Sequence, residues 1–381
     1  MKEAVPVLQL VNQFAIGGAE GQFIERLRGH PAGFRPVVAC VNRAGPHLET
    51  VRKLGLNVEE FGLRGQLAQL NTAHQVLKLA AFIDREGVKL VHANDFYANL
   101  LAVPAARLAG VKVICSRFDL GHWYSRAHHV VEAVTCRAAD AVYVNAEAVR
   151  DLCVNEEGIP TGKVTVVHNG LDLAAFDQQM KAAPHTAIPE GRPTIILVGN
   201  LYPVKGHLEL IAAAAKIRAE LPDLLVLCAG EGPMRSVLEQ QIEFHGLQQT
   251  VLLLGHRRDV PALIARAQVA ALPSHAEGLS NSLIEAMAAG LPVVATAVGG
   301  NVELVREGGE GASGHLIPPH NAQALTEKLL GLLREPERAR ALGAAGRRRV
   351  ESELTLAAMS RRTGELYRVV LKGALSSRRA A

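Results

Sequence analysis

Short runs of β-branched and aliphatic residues recur along the chain, separated by longer amphipathic stretches. Residues 5–11, 37–41, 88–92, 111–115, 141–144 and 164–167 carry such runs, while 66–86 and 99–109 space their apolar positions as helices do. Strands that are apolar along their whole length, rather than at alternate positions, belong in parallel sheets covered by helices on both faces. The same grammar returns after Thr194, with runs at 195–198, 224–228, 251–254, 269–272, 292–295 and 315–317. Between the halves, residues 177–192 contain Lys181, Pro184, Pro189 and Gly191 without periodicity and read as a linker. The expected organisation is an α/β chain with two doubly wound parallel-sheet domains, 1–176 and 193–365, facing each other across a cleft. From about residue 323 the pattern is helical and rich in Arg and Leu. Its last segment, 353–373, can pack against either domain, and the tail 366–381 is assigned a return to the first.

Composition narrows the class without naming a function. A chain of 381 residues with 49% apolar content can bury two cores, and 4% aromatic residues with abundant Gly suits an α/β enzyme. The formal charge of +4 is too mild for a nucleic-acid partner but allows weak attraction to anionic lipid or a phosphorylated substrate. Cys40, Cys115, Cys136, Cys153 and Cys228 are odd in number and scattered through apolar runs, as reduced core residues of a cytosolic chain would be. The first residues lack the apolar core of a signal peptide, and no apolar run approaches membrane-spanning length. A cytoplasmic location follows as the expectation, with peripheral contact at the inner membrane face left open.

The densest chemistry lies in the segment from Glu277 through Gly278, Leu279, Ser280 and Asn281 to Glu285, which runs from a glycine-containing loop into a helix. A helix start offers amide donors and the positive end of a dipole to an anion, and carboxylates accept hydrogen bonds from sugar hydroxyls. A nucleotide sugar carries both kinds of group. Spacing alone does not separate such a pair from two solvated acids. Gly17 and Gly18 follow the first strand and let backbone approach a phosphate or sugar. The corresponding loop of the second half runs from Gly199 and Asn200 to Lys205 and Gly206, where Lys205 can neutralise a diphosphate. In the first half, His92, Asn94 and Asp95 end one strand, and Arg117 and Asp119 the next, at the edge where ligands of open α/β sheets bind. A histidine there is either an acid–base group or locally hydrogen-bonded. The chain shows no clustered carboxylate or His/Cys metal motif.

Taken together, Gly17-Gly18-Ala19-Glu20, His168-Asn169-Gly170-Leu171-Asp172, Lys205-Gly206, Gly230-Glu231-Gly232-Pro233, Glu277 through Glu285, and Gly299-Gly300 with Glu303 resemble the retaining glycosyltransferases of family four. The resemblance spans nearly the whole chain in order and implies the GT-B architecture of two Rossmann-like domains. It implies that Glu277 contacts the transferred sugar and Glu285 the nucleotide ribose. It further implies that Lys205 binds the donor diphosphate, that amides of residues 279–281 hold sugar or phosphate, and that Gly17 and Gly18 approach the donor phosphate or the acceptor. Glu277, Lys205 and His92 become the catalytic candidates, with Asn94, Asp95, Arg117 and Asp119 on the acceptor side. Transfer would retain the anomeric configuration without a required metal or cofactor, using a UDP- or GDP-sugar. Two positions depart from the family: Asn200 stands where an arginine is common, and Asn94 where a histidine is common. Arg117, Arg257 or Arg258 can supply the missing cation.

The leading expectation is hexosyl transfer to a cell-envelope polysaccharide, glycolipid or other saccharide or lipid-linked acceptor. Nucleotide-sugar epimerisation or hydrolysis, and nucleotide-sugar binding without catalysis, are the alternatives. The segment from Gly121 through Trp123 and Tyr124 to Arg126 suits a lipid interface, against burial of Trp123 in the core.

Overall fold

The computed structural model describes residues 4–63, 70–121, 123–184, 188–189, 191–309 and 311–373. The chain forms two compact units. One runs up to Gly170 and takes in the segment from Leu356, and the other is Leu171–Thr355.

The first unit is built on a seven-stranded sheet of β1 Val5–Val11, β2 Phe34–Cys40, β3 Val58–Glu60, β4 Leu90–Ala93, β5 Lys112–Arg117, β6 Ala141–Val144 and β7 Val164–Val166, in the order β3-β2-β1-β4-β5-β6-β7. All pairings are parallel. The second unit has six strands, β8 Thr194–Val198, β9 Leu225–Ala229, β10 Val251–Gly255, β11 Val269–Leu272, β12 Val293–Thr296 and β13 Gly314–Ile317, ordered β10-β9-β8-β11-β12-β13 and again parallel. Every residue of β9, β11 and β12 is buried, as continuous apolar strands require. In each sheet the order reverses once, between β1 and β4 and between β8 and β11. Loops leaving the carboxyl ends of those strands diverge there and leave a crevice for a ligand.

Three differences from expectation have local causes. Strand β3 was not anticipated, because Val58-Glu59-Glu60 contains one apolar residue and pairs only at the sheet edge. The linker expected from 177 begins inside a helix, Leu173–Met180, which Asp172 caps by accepting from the Ala175 amide at 3.1 Å and Phe176 anchors by burial. Residues 185–187 and 190 of that stretch, and 66–69 of the helix expected over 66–86, lie outside the described residues. Finally, the second domain ends at Thr355 rather than 365, because the whole helix Leu356–Leu371 joins the first unit. Its stripe of Met359, Leu366, Tyr367 and Val370 completes a core with Val7, Leu90, Ile114 and Tyr143. Residues 374–381 of the expected tail lie outside the description.

Candidate functional site

In the second unit, the loops after β8 and β11 bring the sequence candidates together. The loop after β8 turns through a 3-10 segment, Pro203–Lys205, into Gly206, whose φ of 67° starts the helix His207–Glu220. A Cβ on Gly206 would lie 2.0 Å from the Pro273 carbonyl oxygen, so only glycine satisfies both the left-handed backbone and the seat against the second loop. Across that seat Lys205 Nζ donates to Glu277 Oε1 at 2.5 Å. The lysine side chain keeps 25% of its surface exposed and the glutamate 9%. Such a pair is partly desolvated yet open on the cation's side, where a phosphate can approach.

Glu277 is itself held from below. The Gly278 carbonyl accepts from the Gly300 amide at 2.7 Å, and a Cβ on Gly300 would stand 2.1 Å from that oxygen. Leu279 turns into the core, and Ser280 caps the helix Asn281–Ala288 by accepting from the Leu283 amide at 3.3 Å. The positive end of this helix therefore faces the loop of Glu277. Glu285 lies half-buried in its second turn. Gly230-Glu231-Gly232-Pro233 is a turn packed on the 199–201 loop, where Leu201 donates to the Glu231 carbonyl at 3.0 Å and a Cβ on Gly230 would meet the Gly199 carbonyl at 2.0 Å. It shapes the loop of Asn200. Of the arginines considered as substitutes for the missing cation, Arg257 forms a bidentate pair with Asp259 at 2.8 and 2.6 Å, and Arg258 is exposed.

The first unit treats its candidates differently. His92 is fully buried, with Nδ1 2.7 Å from the Tyr367 hydroxyl and Nε2 2.9 Å from Ser116 Oγ. Burial, with Arg26 and His30 nearby, holds its pKa well below the usual imidazole range. A neutral ring with both nitrogens engaged is a core hydrogen-bonding group, the locally bonded one of the two roles the sequence leaves open. Arg117, expected on the acceptor side or as the substitute cation, is likewise buried within the first unit. It is 2% exposed, its Nη1 donates to both carboxylate oxygens of Glu157 at 2.9 and 2.7 Å, and its Nε lies 3.8 Å from Glu132 Oε1. Burial raises the Glu132 carboxyl to about 7 despite that arginine. Asn94 is buried and donates to the Leu10 carbonyl at 3.0 Å.

Asp95 caps the helix Phe96–Leu108, accepting from the Ala98 amide at 2.9 Å and the Asn12 amide at 2.7 Å. Burial lifts its carboxyl to about 6, partly offset by those donors. Gly17 begins the helix Gly18–Arg28, but the Glu20 carboxylate folds back over it, 2.4 Å from where a Cβ would stand. The Glu20 carboxylate thus lies over the helix start expected to approach the donor phosphate or the acceptor. Asp119 accepts from the Gly121 amide at 2.8 Å and from Trp123 Nε1 at 3.2 Å. Trp123 is half exposed rather than buried in the core; His122 lies outside the described residues.

Residues 16–175 match glycosyltransferase family 4, and residues 178–349 match glycosyl transferases group 1. A D-inositol 3-phosphate glycosyltransferase of Kineococcus radiotolerans is 31% identical over 97% of this chain and 83% of its own length. The chain belongs to the group 1 glycosyltransferases. A glycogen synthase of Mycobacterium tuberculosis is 28% identical to this glycosyltransferase over 79% of the chain and 67% of its own length. Among solved structures, Anabaena HepE in complex with UDP-glucose superposes with a TM-score of 0.81 over 95% of this chain and 99% of its own, at 23% identity. The two parallel-sheet units are those of the GT-B fold.

One group of side chains escaped the sequence motifs. Glu209, His275 and His320 converge in the second unit with ligand-capable atoms all within 4.8 Å of one another. Their separation along the chain, 66 residues for the first two, hides them from any spacing rule.

Proposed function

We propose that this glycosyltransferase moves a hexose-type unit from a UDP- or GDP-sugar to a saccharide or lipid-linked acceptor with retention at the anomeric carbon. The observation that carries the reading is the Lys205–Glu277 pair at the strand-order reversal of the second unit, 2.5 Å apart and beside a helix start. Lys205 neutralises the diphosphate as the bond from the anomeric carbon to its oxygen breaks, supplying charge stabilisation that a metal ion provides elsewhere. Glu277 accepts hydrogen bonds from sugar hydroxyls, and Glu285 accepts from the ribose. Backbone amides of residues 279–281 add donors, and Asn200 offers a neutral donor where a second cation is absent. As the acceptor oxygen bonds the anomeric carbon, its proton leaves to the departing phosphate. UDP-glucose in the Anabaena structure favours a uridine nucleotide.

Asp95 and Asp119 remain the acceptor-side candidates, as half-buried carboxylates that can receive hydroxyl hydrogen bonds. A lipid-linked acceptor at the inner membrane face suits exposed Trp123, Val130 and Val134 beside exposed Arg126 in the first unit. Among the described residues no helix is long and apolar enough to cross a membrane.

A panel of UDP-, GDP- and ADP-sugars with and without oligosaccharide or glycolipid acceptors tests the reading, with the product anomer read by NMR. Acceptor-dependent nucleotide release with a retained anomer is the expected result. Release or isomer formation without acceptor would instead favour hydrolysis or epimerisation, and binding without turnover a non-catalytic module. Sedimentation with anionic vesicles at low salt tests the lipid contact separately, and absence of binding removes it.

A further inference from the structure

We infer that Glu209, His275 and His320 form a binding site for a divalent cation of the zinc class. His275 Nε2 lies 2.8 Å from Glu209 Oε1, and His320 Nδ1 lies 3.5 Å from the same oxygen. The two imidazoles face each other with centroids 3.8 Å apart and planes 40° apart. Around a tetrahedral zinc ion with bonds of about 2.0–2.1 Å, neighbouring donor atoms stand roughly 3.3 Å apart. The separations from the Glu209 oxygen, 2.8 and 3.5 Å, bracket that spacing. Two imidazole nitrogens and one carboxylate oxygen, with a remaining position for water, select zinc and its borderline-soft neighbours and not magnesium or calcium, which demand oxygen donors.

The backbone supplies an independent observation. His320 has φ of 57° and is the one non-glycine with positive φ among the described residues. A residue with a Cβ is disfavoured there, where glycine would sit without strain. Its neighbours fix the turn, since Pro319 precedes it and Asn321 caps the next helix by accepting from the Ala324 amide at 2.9 Å. The conformation projects His320 onto Glu209 and His275 while leaving it 66% exposed, open to an ion from solvent.

The three donors come from three segments of the second unit. Glu209 lies in the first turn of the helix that begins after Lys205-Gly206, His275 lies two residues before Glu277, and His320 follows β13. His275 is already tied to the lysine loop, its amide donating to the Val204 carbonyl at 2.7 Å. A bound cation cross-links the two loops that hold Lys205 and Glu277 and anchors both to the β13 loop. Its role is to fix those loops, outside the reacting groups, so the site stands or falls independently of the proposed reaction.

The test uses the full chain, stripped with chelator and desalted, with zinc, cobalt and magnesium chlorides as probes. Calorimetry should show one zinc per chain, cobalt should develop visible bands of four- or five-coordinate geometry, and zinc but not magnesium should raise Tm. His275→Ala should weaken zinc binding roughly tenfold or more, since loss of even a supporting partner of a metal ligand costs about 10–100-fold. His320→Gly is the decisive variant, because glycine relieves the backbone while deleting the donor. Its metal-free Tm should equal or exceed that of the parent, and the zinc-dependent rise should disappear. Absence of stoichiometric zinc on the parent chain, or equal zinc affinity and cobalt spectra in the parent and both variants, would overturn the site.

Discussion

Lys205–Glu277 in the second unit and Arg117–Glu157 in the first are ion pairs at the carboxyl ends of parallel strands, on sheets of the same topology. The first is held by one hydrogen bond with its lysine a quarter exposed; in the second, one guanidinium nitrogen donates to both carboxylate oxygens, with both partners at 4% exposure or less. An open pair can trade part of its internal contact for a ligand phosphate at little cost. A sealed pair cannot, because its guanidinium would have to leave Glu157 and Glu132 uncompensated in a low-dielectric interior. Polar residues at a strand end are therefore ambiguous until their covering is known. In the first unit that covering comes from the helix Leu356–Leu371, which lays Tyr367 on His92, and from Tyr124, whose ring lies 5.3 Å from the Arg117 guanidinium carbon.

The comparison breaks most visibly through turnover. Lys205→Ala should lower kcat by about 10²–10³, the typical cost of deleting one charge-stabilising donor, and Glu277→Ala should abolish measurable transfer while leaving nucleotide binding largely intact. Retention of normal kcat by the lysine variant would remove the open pair from the chemistry. Arg117→Leu should do the reverse. Breaking a buried pair costs about 3–5 kcal/mol, so Tm should fall steeply while the folded fraction keeps its kcat and KM. A stable Arg117→Leu protein without activity would place the arginine at the substrate instead.

Most of the architecture was legible because parallel strands announce themselves by unbroken apolar runs, as Val293–Thr296 does, and because Ser280 marks a helix start in one residue. The link from Glu277 to Lys205 was legible only as two loops at one sheet edge. Their 2.5 Å contact depends on the Gly206 seat, which no residue pattern reveals. The choice between the two roles of His92 was illegible for a complementary reason. Its strand-end position is visible locally, but the hydroxyl that occupies Nδ1 arrives from Tyr367, 275 residues later. Glu209, His275 and His320 were invisible for the same reason, since three loops assemble them and no single segment carries the pattern.

Nucleotide affinity sharpens the open side of the comparison. Glu285→Ala should weaken UDP or GDP binding by roughly tenfold to a hundredfold, the value of a hydrogen bond to a charged group at about 1.5–3 kcal/mol. Thermal shift with each nucleotide also identifies the base. Unchanged affinity in this variant would sink the ribose assignment while leaving the Lys205–Glu277 pair intact.

The sealed side has a smaller signature in pH. Burial holds His30 at about 4, against an ordinary value of 6.5, and also keeps His92 well below that ordinary value. Above 6.5 the folded and unfolded chains both leave His30 neutral, so its contribution to stability is complete. As pH falls below 6.5 the unfolded chain takes up a proton that the folded one refuses, and stability declines until about pH 4, where the folded ring protonates too. For His30 alone the loss by pH 5 is about 1–2 kcal/mol. Asp95 at about 6 and Glu132 at about 7 act with the opposite sign, being protonated more readily when folded, so the total slope is a poor readout. The difference between His30→Gln and the parent isolates one group. Trp123, the single tryptophan, lies in the same unit and reports its unfolding by fluorescence. The gap in Tm between variant and parent should shift in favour of the variant between pH 7 and pH 5. Parallel pH profiles would mean that His30 takes up its proton in the folded unit, and that this side of the first unit is open to water after all.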